Sequence, residues 1–251
     1  RFDSDALGRV ARRWRAFEGV DYTVSKTWGA GGYHLTTTYP DGETVGPMGY
    51  DEAGRVKSVP GFVSELTWDA LGRPDTKTNA NGVFTDWTWS ETRGLLDRIK
   101  TTTAGGATLQ DLTYTPRAVG LVHSVTSPVA GEGWTYDYDE LYQLTTATNH
   151  SYPAESQSFD YDAGGRIETN SRVGVYTYAT GRHRPQTVGG STLVYDANGN
   201  LVSGGGRAPV WNAENLITQI GTTQFKYDAL GERVKKTSGT TTSLYPFGDD
   251  Y

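Results

Sequence analysis

Polar and apolar residues alternate along much of this chain, and turn-forming residues interrupt the alternation at short intervals. Segments such as FDYDAGGRIET (159–169) and LVYDANGNLVS (193–203) place an aromatic residue, an Asp, small residues, a Gly and then an aliphatic residue in that order. No long segment has the spacing of three and four residues that marks an amphipathic helix. The pattern therefore predicts β-strands joined by tight turns.

The turn motif recurs often enough to define the architecture. Counted from its aromatic residue, it returns every 16 to 18 residues from Tyr161 to Tyr245 and every 18 to 25 residues from Tyr50 to Tyr161. A propeller blade needs roughly 40–45 residues, so this period suits one two-stranded hairpin instead. The clear copies begin at Tyr50, Trp68, Tyr138, Tyr161, Tyr195, Trp211 and Tyr227, another is DALGRV (5–10) with Ser4 in the aromatic position, and weaker copies begin at Trp89, Tyr114, Tyr178 and Tyr245.

The segment YDAGGRI (161–167) shows why each residue type recurs. In a three-residue hairpin loop a type I turn is followed by a residue in the left-handed region, which Gly165 adopts without steric cost. Asp162 then lies opposite Arg166, and Tyr161 lies opposite Ile167. Because side chains alternate between faces, we expect Asp and Arg on one face and the rings on the other, where they stack from repeat to repeat. Asp also suits the first turn position because its side chain accepts backbone N–H groups.

The same register assigns a structural role to the turn residues of five copies, which begin at Tyr50, Trp68, Tyr161, Tyr195 and Tyr227. Some copies of the motif depart from this register. In WNAENLI the left-handed position is Asn215, while in YDELYQL it is Tyr142, so that turn must differ or be strained. The turns at 89–94 and 231–233 are expected to be longer. The assigned residues are Tyr50, Asp51, Gly54, Arg55, Trp68, Asp69, Gly72, Arg73, Tyr161, Asp162, Gly165, Arg166, Tyr195, Asp196, Gly199, Tyr227, Asp228 and Gly231.

About twelve such hairpins contain about 24 strands, which at ~4.8 Å each span about 115 Å. An open sheet rarely exceeds ~10 strands without curling. We therefore predict an all-β protein in which up-and-down β-hairpin repeats form a long antiparallel sheet that curls or spirals. We expect 1–251 to be a single repeat region excised from a longer chain, with a divergent or inserted repeat at 11–49.

Composition narrows the possible partners. The net charge is −6 and the only dense basic stretch is RVARRWR (9–15), so we do not expect a nucleic-acid partner. The chain has no Cys, which excludes disulfides and thiolate metal sites. No apolar run approaches the length needed to span a membrane.

Candidate chemistry is sparse. The four His residues are scattered without paired spacing, so we expect no catalytic or metal site and no cofactor. Aspartates two residues apart could supply oxygen ligands to Ca²⁺, and weak candidates are Asp137, Asp139, Asp160 and Asp162. Aromatic residues two apart could form a platform for sugars, although packing between repeats is the more common use of such rings. These aromatic pairs are Trp87 with Trp89, Trp134 with Tyr136, and Tyr176 with Tyr178.

The motifs YDALGR, YDAGGR and YDANGN closely resemble the tyrosine-aspartate repeats of RHS/YD-repeat proteins. That family includes bacterial RHS toxins, wall-associated proteins, the C component of insecticidal Tc toxin complexes and the teneurin ectodomains. The resemblance covers residues 4–10 and 50–251. It implies a YD-repeat shell, in which a sheet ribbon spirals around a C-terminal toxic domain. The Asp-Pro motif that supports self-cleavage in the toxins does not occur in this sequence.

The resemblance therefore implies a structural, non-enzymatic segment of a secreted or surface bacterial protein. Its expected partners are the remainder of its own polypeptide, namely further repeats and a C-terminal toxin cargo. The open alternative is an adhesion module whose aromatic hairpins bind carbohydrate on a cell surface. Unpaired strands at the ends of such a ribbon could also associate edge to edge.

Overall fold

The structure, a computed structural model, describes residues 1–247 and consists almost entirely of antiparallel β-strands. One short 3-10 turn, Pro153–Glu155, is the exception among these residues. The strands are β1 (Phe2–Ser4), β2 (Val10–Phe17), β3 (Val20–Trp28), β4 (His34–Thr38), β5 (Thr44–Val45), β6 (Gly49–Tyr50), β7 (Val56–Ser58), β8 (Val63–Trp68), β9 (Pro74–Asn79), β10 (Phe84–Trp89), β11 (Leu96–Thr102), β12 (Thr108–Pro116), β13 (Val122–Thr126), β14 (Trp134–Tyr138), β15 (Leu144–Asn149), β16 (Gln157–Tyr161), β17 (Ile167–Asn170), β18 (Gly174–Tyr178), β19 (Pro185–Val188), β20 (Ser191–Thr192), β21 (Val194–Tyr195), β22 (Leu201–Ser203), β23 (Pro209–Trp211), β24 (Ile217–Ile220), β25 (Thr223–Tyr227), β26 (Arg233–Ser238) and β27 (Thr241–Leu244).

Within each sheet of the described residues, the strands lie side by side in chain order. This up-and-down order confirms the predicted all-β hairpin architecture. It also explains the tight turns, because two antiparallel neighbours need only a short connection.

The chain divides into two compact units. Unit 1 comprises Arg1–Ala16 and Val20–Ser156, and unit 2 comprises Phe17–Gly19 and Gln157–Tyr251, of which the structure describes residues up to 247. Most of unit 1 is formed by the sheet β1 to β5, the pair β6 and β7, and the successive strands β8 to β15. Unit 2 contains the successive strands β16 to β20, the pair β21 and β22, and the sheet β23 to β27.

Residues 11–49, which match the motif poorly, also form antiparallel strands. They supply β2 to β5 and the start of β6. Their turns carry glycines with positive φ, 84° at Gly32 and 90° at Gly42. That 1–251 forms a single region, with a divergent repeat at 11–49, stays a prediction.

Few side chains in this protein are fully buried. Apolar residues that are buried include Val24, Val125 and Val234. The strands that lie side by side are neighbours in chain order. Stability must therefore come from contacts between successive hairpins rather than from a deep core.

The hairpin at YDAGGRI has the predicted register. Tyr161 pairs with Ile167, and a β-bulge precedes Tyr161. The Asp162 N–H donates to the Arg166 carbonyl at 2.9 Å, and the Gly165 N–H donates to the Asp162 carbonyl at 2.9 Å. Gly165 has a φ of 78°, the left-handed value that closes this turn. The corresponding φ values are 78° at Gly54, 78° at Gly72, 90° at Gly199, 60° at Asn215 and 80° at Gly231.

Two expectations about individual repeats were wrong. The turn after Tyr227 is not longer, because Tyr227 pairs with Arg233 across a loop of ordinary length and Asp228 bonds to Glu232. Arg233 thus occupies the position that is aliphatic in other copies. Tyr114 does not start a repeat either, because the last paired residue before that turn is Pro116.

Two other turns behave as expected. The turn after Trp89 is one residue longer, since Ser90 N–H donates to the Leu95 carbonyl at 2.8 Å. The YDELYQL turn keeps the common geometry and is strained, with Tyr142 at a φ of 63°. The repeat expected to open at Tyr245 extends beyond the described residues. No helix that is long and apolar enough for a membrane span occurs in the described part of the chain.

Replacing Tyr142 by Gly should stabilise the protein. A non-glycine residue in the left-handed region costs about 1–2 kcal/mol, and the Tyr142 side chain is 61% exposed, so its removal loses little packing. We expect the free energy of unfolding of Tyr142→Gly in urea to rise by about 1 kcal/mol. The control is Gly165→Ala, the reverse change in a regular turn, which should lower the free energy of unfolding. A loss of stability in Tyr142→Gly would contradict the proposed strain at Tyr142.

Candidate functional site at the hairpin junctions

Each regular turn is held together by its aspartate. In the first hairpin, Asp5 Oδ1 accepts from the backbone N–H groups of Leu7 at 2.9 Å and Arg9 at 3.0 Å. Its second oxygen accepts from the Arg9 guanidinium, through Nε at 2.7 Å and Nη2 at 2.6 Å. The same pattern of two backbone donors and one guanidinium recurs at Asp51, Asp69 and Asp162.

These bonds favour the ionised carboxylate. The pKa of Asp51, Asp69 and Asp162 lies below the usual value of 3.8, first because the backbone N–H of the following Arg donates to the carboxylate, and also because its guanidinium does. At Asp196 the first cause of the lowered pKa is the side chain of Asn200, which replaces Arg in that copy. Each carboxylate is hydrogen-bonded to donors of its own turn, so its negative charge interacts mainly with that turn.

The aromatic residue of each hairpin reaches back to the hairpin before it. Trp68 Nε1 donates to the Val56 carbonyl at 2.9 Å, and the Tyr178 hydroxyl donates to the Ile167 carbonyl at 2.9 Å. In each case the accepting carbonyl belongs to the residue that follows the Arg position of the preceding turn. The same bond joins Trp28 to Val10, Tyr50 to His34, Trp89 to Pro74, Tyr138 to Val122, Tyr195 to Pro185, Trp211 to Leu201 and Tyr227 to Ile217.

Where a hairpin has an arginine after its turn, that arginine commonly reaches forward to the ring of the next hairpin. The guanidinium carbon of Arg166 lies 4.7 Å from the centre of the Tyr178 ring, and that of Arg73 lies 4.8 Å from the Trp89 ring. This is the distance of a favourable cation–π contact. Similar contacts join Arg9 to Trp28, Arg55 to Trp68, Arg117 to Tyr138, Arg184 to Tyr195 and Arg233 to Tyr245.

This arrangement corrects the expectation that rings stack on rings while arginines lie on the opposite face. The bulge before each turn shifts the register by one residue, so the simple alternation of faces does not continue through the turn. Arg166 therefore binds its own Asp162 and covers the ring of the next repeat, Tyr178. Some guanidinium groups also bond to the next turn, as Arg166 Nη1 does to the Arg182 carbonyl at 2.7 Å.

Irregular copies preserve the junction with other residues. Arg117 occupies the Asp position of its turn, yet it covers the Tyr138 ring and pairs with Asp137 at 2.7 Å. Tyr33 occupies an Arg position and stacks on Tyr50, with ring centres 4.9 Å apart. Motif matching missed Arg117 because it stands at the Asp position, and it missed Tyr33 because that residue replaces the expected Arg. Both residues nevertheless lie in the turn before a Tyr hairpin, which is visible in the sequence.

The proposed calcium ligands do not come together as a site. Asp137 accepts from Arg117 and Thr146, Asp160 from Thr169, and Asp139 from backbone N–H groups of its own turn. Asp162 is held by Arg166 in the same way. Within residues 1–247, no three His, Asp or Glu side chains are grouped closely enough to hold a metal ion.

The paired aromatics have different surroundings. Trp89 and Tyr178 are junction rings whose polar atoms are bonded to the previous hairpin. Trp134 and Tyr136 lie on the same strand with nearly parallel rings, 7° apart, and ring centres 6.3 Å apart. Burial raises the pKa of the Tyr136 hydroxyl, with smaller effects from Tyr138 and Tyr114, so these rings form a cluster.

The fold and its junctions define a class of protein: a β-hairpin repeat protein in which successive hairpins interlock through Asp, Arg and aromatic side chains. Solved structures with the same fold come from Tc toxins, and they confirm the RHS/YD-repeat fold that the motifs predict.

One similar structure is the Tc holotoxin pore of Photorhabdus luminescens with a mutation in TccC3, which has a TM-score of 0.77 and 21% identity over 94% of this chain. A TcdB2–TccC3 crystal structure has a TM-score of 0.73 and 18% identity over 95%. A TcdB2–TccC3 structure without the hypervariable C-terminal region has a TM-score of 0.68 and 19% identity over 93%.

This chain spans only about 15–16% of the length of those three chains. No protein-family model and no curated protein matches it. At this level of identity the comparison establishes the fold.

The ring hydrogen bond should contribute measurably to stability. Tyr178→Phe removes the donor to Ile167 and should lower the free energy of unfolding by about 1 kcal/mol, because an intramolecular hydrogen bond contributes about 0.5–1.5 kcal/mol. Tyr176→Phe, two residues away on the same strand, is the matched control and should cost less. If urea denaturation shows the same loss of unfolding free energy for Tyr178→Phe and Tyr176→Phe, the special role of the junction ring is contradicted.

The turn carboxylates should set the acid limit of the fold. Because the pKa of Asp51 in the folded protein lies below its usual 3.8, its stabilisation is fully present above pH 3.8 and is lost as the pH falls through the folded value. The difference in Tm between the protein and Asp51→Asn should stay constant between pH 7 and pH 5 and shrink below pH 3.8. Glu52→Gln, in the same turn, is the control. A difference that shrinks already near pH 6 would contradict this assignment.

Proposed function

We propose that this chain is a wall segment of a larger RHS-type protein, in which a β-sheet shell encloses a C-terminal segment of the same polypeptide. The observation that carries the proposal is the junction between hairpins, because it links each hairpin to the next through hydrogen bonds and cation–π contacts. The recurrent charged and aromatic side chains of the motif are used in these contacts, as Asp69, Arg73 and Trp89 illustrate. The role is therefore structural rather than enzymatic.

The interlocking supports a wall that separates two compartments. A ring that both donates to the preceding hairpin and lies under its guanidinium, as Tyr178 does, resists sliding and opening between hairpins. Repeated neighbour contacts of this kind add along a sheet, as in other repeat proteins. A continuous sheet would exclude proteases from whatever it encloses.

The cargo is proposed from the fold likeness. One of the similar Tc structures is described as lacking a hypervariable C-terminal region. By analogy, the longer protein that contains this chain would carry its cargo at its C-terminus, and the further repeats would complete the shell. A secreted or surface location in bacteria follows from the same analogy.

Two other partners remain proposals. Strand β1 (Phe2–Ser4) is exposed along its whole length at the edge of its sheet, so it could pair with a second copy. The alternative function, binding of surface carbohydrate, has support from the parallel Trp134 and Tyr136 rings. Most of the recurrent rings are already committed to junctions, and we therefore favour the wall.

Limited proteolysis tests containment. In the longer protein, the C-terminal segment should be cleaved much more slowly than the same segment produced alone. A matched pair of variants in the wall, Tyr178→Phe and Tyr176→Phe, tests the role of the junction: the first should speed cleavage and the second should not. A C-terminal segment that is cut equally fast inside and outside the protein would contradict the proposal.

A further inference from the structure

The sequence Ala-Asn-Gly occurs twice, each time in a tight turn with the same backbone hydrogen bonds. Asn81 and Gly82 lie between β9 and β10, and Asn198 and Gly199 lie between β21 and β22. In both turns the glycine has a positive φ, 79° and 90°, and its N–H donates to the carbonyl of the residue three positions earlier, at 2.9 and 3.1 Å. Both asparagines are exposed. A difference in reactivity between the two sites must therefore come from the contacts of the asparagine side chains.

An asparagine that precedes a glycine can deamidate without an enzyme. The glycine nitrogen attacks Cγ of the asparagine, and the approach is open because glycine has no Cβ. The N–H proton passes to water, the new N–Cγ bond closes a succinimide ring, and Nδ2 takes a proton from water and leaves as ammonia. Water then opens the ring at Cγ, which gives Asp, or at the backbone carbonyl, which gives isoaspartate. A donor that stabilises the negative charge on Oδ1 during the attack speeds the reaction.

Asn81 has such a donor in place. The N–H of Val83 donates to Oδ1 of Asn81 at 3.1 Å. When the glycine nitrogen attacks, this oxygen becomes the oxyanion, and the same N–H can continue to stabilise it. Because the Asn81 side chain is exposed, water reaches it both as the base and for hydrolysis of the ring. The β9–β10 turn therefore favours deamidation.

Asn198 is held in a different way. Its Nδ2, the leaving group, donates to Oδ1 of Asn215 in the following turn at 3.0 Å. The N–H that corresponds to the donor of Val83 is that of Asn200, and it donates to the carboxylate of Asp196 at 2.8 Å instead. The aspartate at the first position of this turn thus takes the donor, whereas the other turn begins with an asparagine.

We infer that Asn81 is a site of spontaneous deamidation in the folded protein and that the fold protects Asn198 from the same reaction. The reaction consumes one water molecule, releases ammonia and requires no oxidant or cofactor. It replaces a neutral amide by a carboxylate, so it adds a negative charge to the turn. The inference does not depend on the proposed function, because each site is formed by side chains and backbone groups of the described turns.

The modified turn is also in close contact with other turns of unit 1. The N–H of Ala80 donates to the carbonyl of Phe62 at 2.9 Å. A Cβ placed on Gly82 would lie 2.6 Å from the Cβ of Ala104, so the turn approaches that residue as closely as a glycine allows. Isoaspartate lengthens the main chain between Asn81 and Gly82 by one methylene group. Formation of isoaspartate should therefore loosen the contacts between these turns.

Peptide mapping by mass spectrometry tests the inference. The folded chain is incubated in mildly alkaline buffer, which supplies the base for the glycine proton, and the replacement of NH2 by OH is followed at each asparagine. Asn81 should be converted roughly fivefold faster than Asn198, the rate factor that one hydrogen bond of about 1 kcal/mol produces. In the chain unfolded in urea, both Ala-Asn-Gly sites should react at similar rates, because only the fold distinguishes them.

The variant Asn79→Asp tests the role of the Val83 donor. It places a carboxylate at the first position of the turn, where Asp196 stands in the protected turn. The new carboxylate should take the N–H of Val83 and slow the conversion of Asn81 severalfold. The rate at Asn198 should not change, and that site serves as the internal control.

The variant Asn215→Gly is the reciprocal test. It removes the oxygen that accepts from Asn198 Nδ2, and glycine suits the φ of 60° at this position. The conversion of Asn198 should become faster, while that of Asn81 stays the same. Circular dichroism checks that both variants retain their strands.

Two outcomes in the folded chain would overturn the inference: conversion at Asn198 that is as fast as at Asn81, and no conversion at Asn81 under conditions in which the unfolded chain reacts. An unchanged rate at Asn81 in Asn79→Asp would overturn the assignment of the Val83 N–H as the stabilising donor. None of these results bears on containment, which the proteolysis experiment tests separately.

Discussion

One repeated interaction underlies the fold, and it is complete at Arg9, Arg55, Arg73 and Arg166: a guanidinium bound by the aspartate of its own turn lies over the ring of the next hairpin. The same ring donates its polar hydrogen to the backbone of the hairpin that supplies the guanidinium, as Tyr178 does toward Ile167 and Arg166. Each contact is modest in free energy. A sheet with few buried side chains has no deep core to replace it, so the sum of these contacts holds the hairpins in register.

This interaction explains why the motif combines residues with such different chemistry. The left-handed residue, usually Gly, closes the turn so that Asp can reach the following Arg. The aspartate then holds the guanidinium in a defined direction, which reduces the conformational entropy lost when it covers the next ring. The rings that donate across junctions in the described residues are Tyr or Trp and not Phe. Phe159 and Phe225 lie two residues before the junction rings Tyr161 and Tyr227, at positions that do not need a hydrogen-bond donor.

The irregular copies form the same contact without the motif. Arg117 supplies the cation from the Asp position, and Tyr33 replaces a cation with a second ring. Both solutions place a flat group on the ring of the following hairpin. A repeat can therefore lose its recognisable sequence while its sheet stays continuous. The same argument makes residues 11–49 compatible with a sheet despite their poor match to the motif.

The sequence is enough to predict the all-β class, the up-and-down order and the register of the regular hairpins, because turn chemistry and alternation act over a few neighbouring residues. It also predicted the left-handed conformations at Gly165 and Asn215 and the strain at Tyr142. The positions of the arginine side chains, in contrast, depend on contacts between hairpins. The bulge before each turn changes the face on which the following side chains lie, and its effect on Arg166 and Tyr178 depends on the neighbouring hairpin. The predictions at Tyr114 and at the turn after Tyr227 were wrong for a similar reason. In both cases the register is fixed by the residue that pairs from another strand.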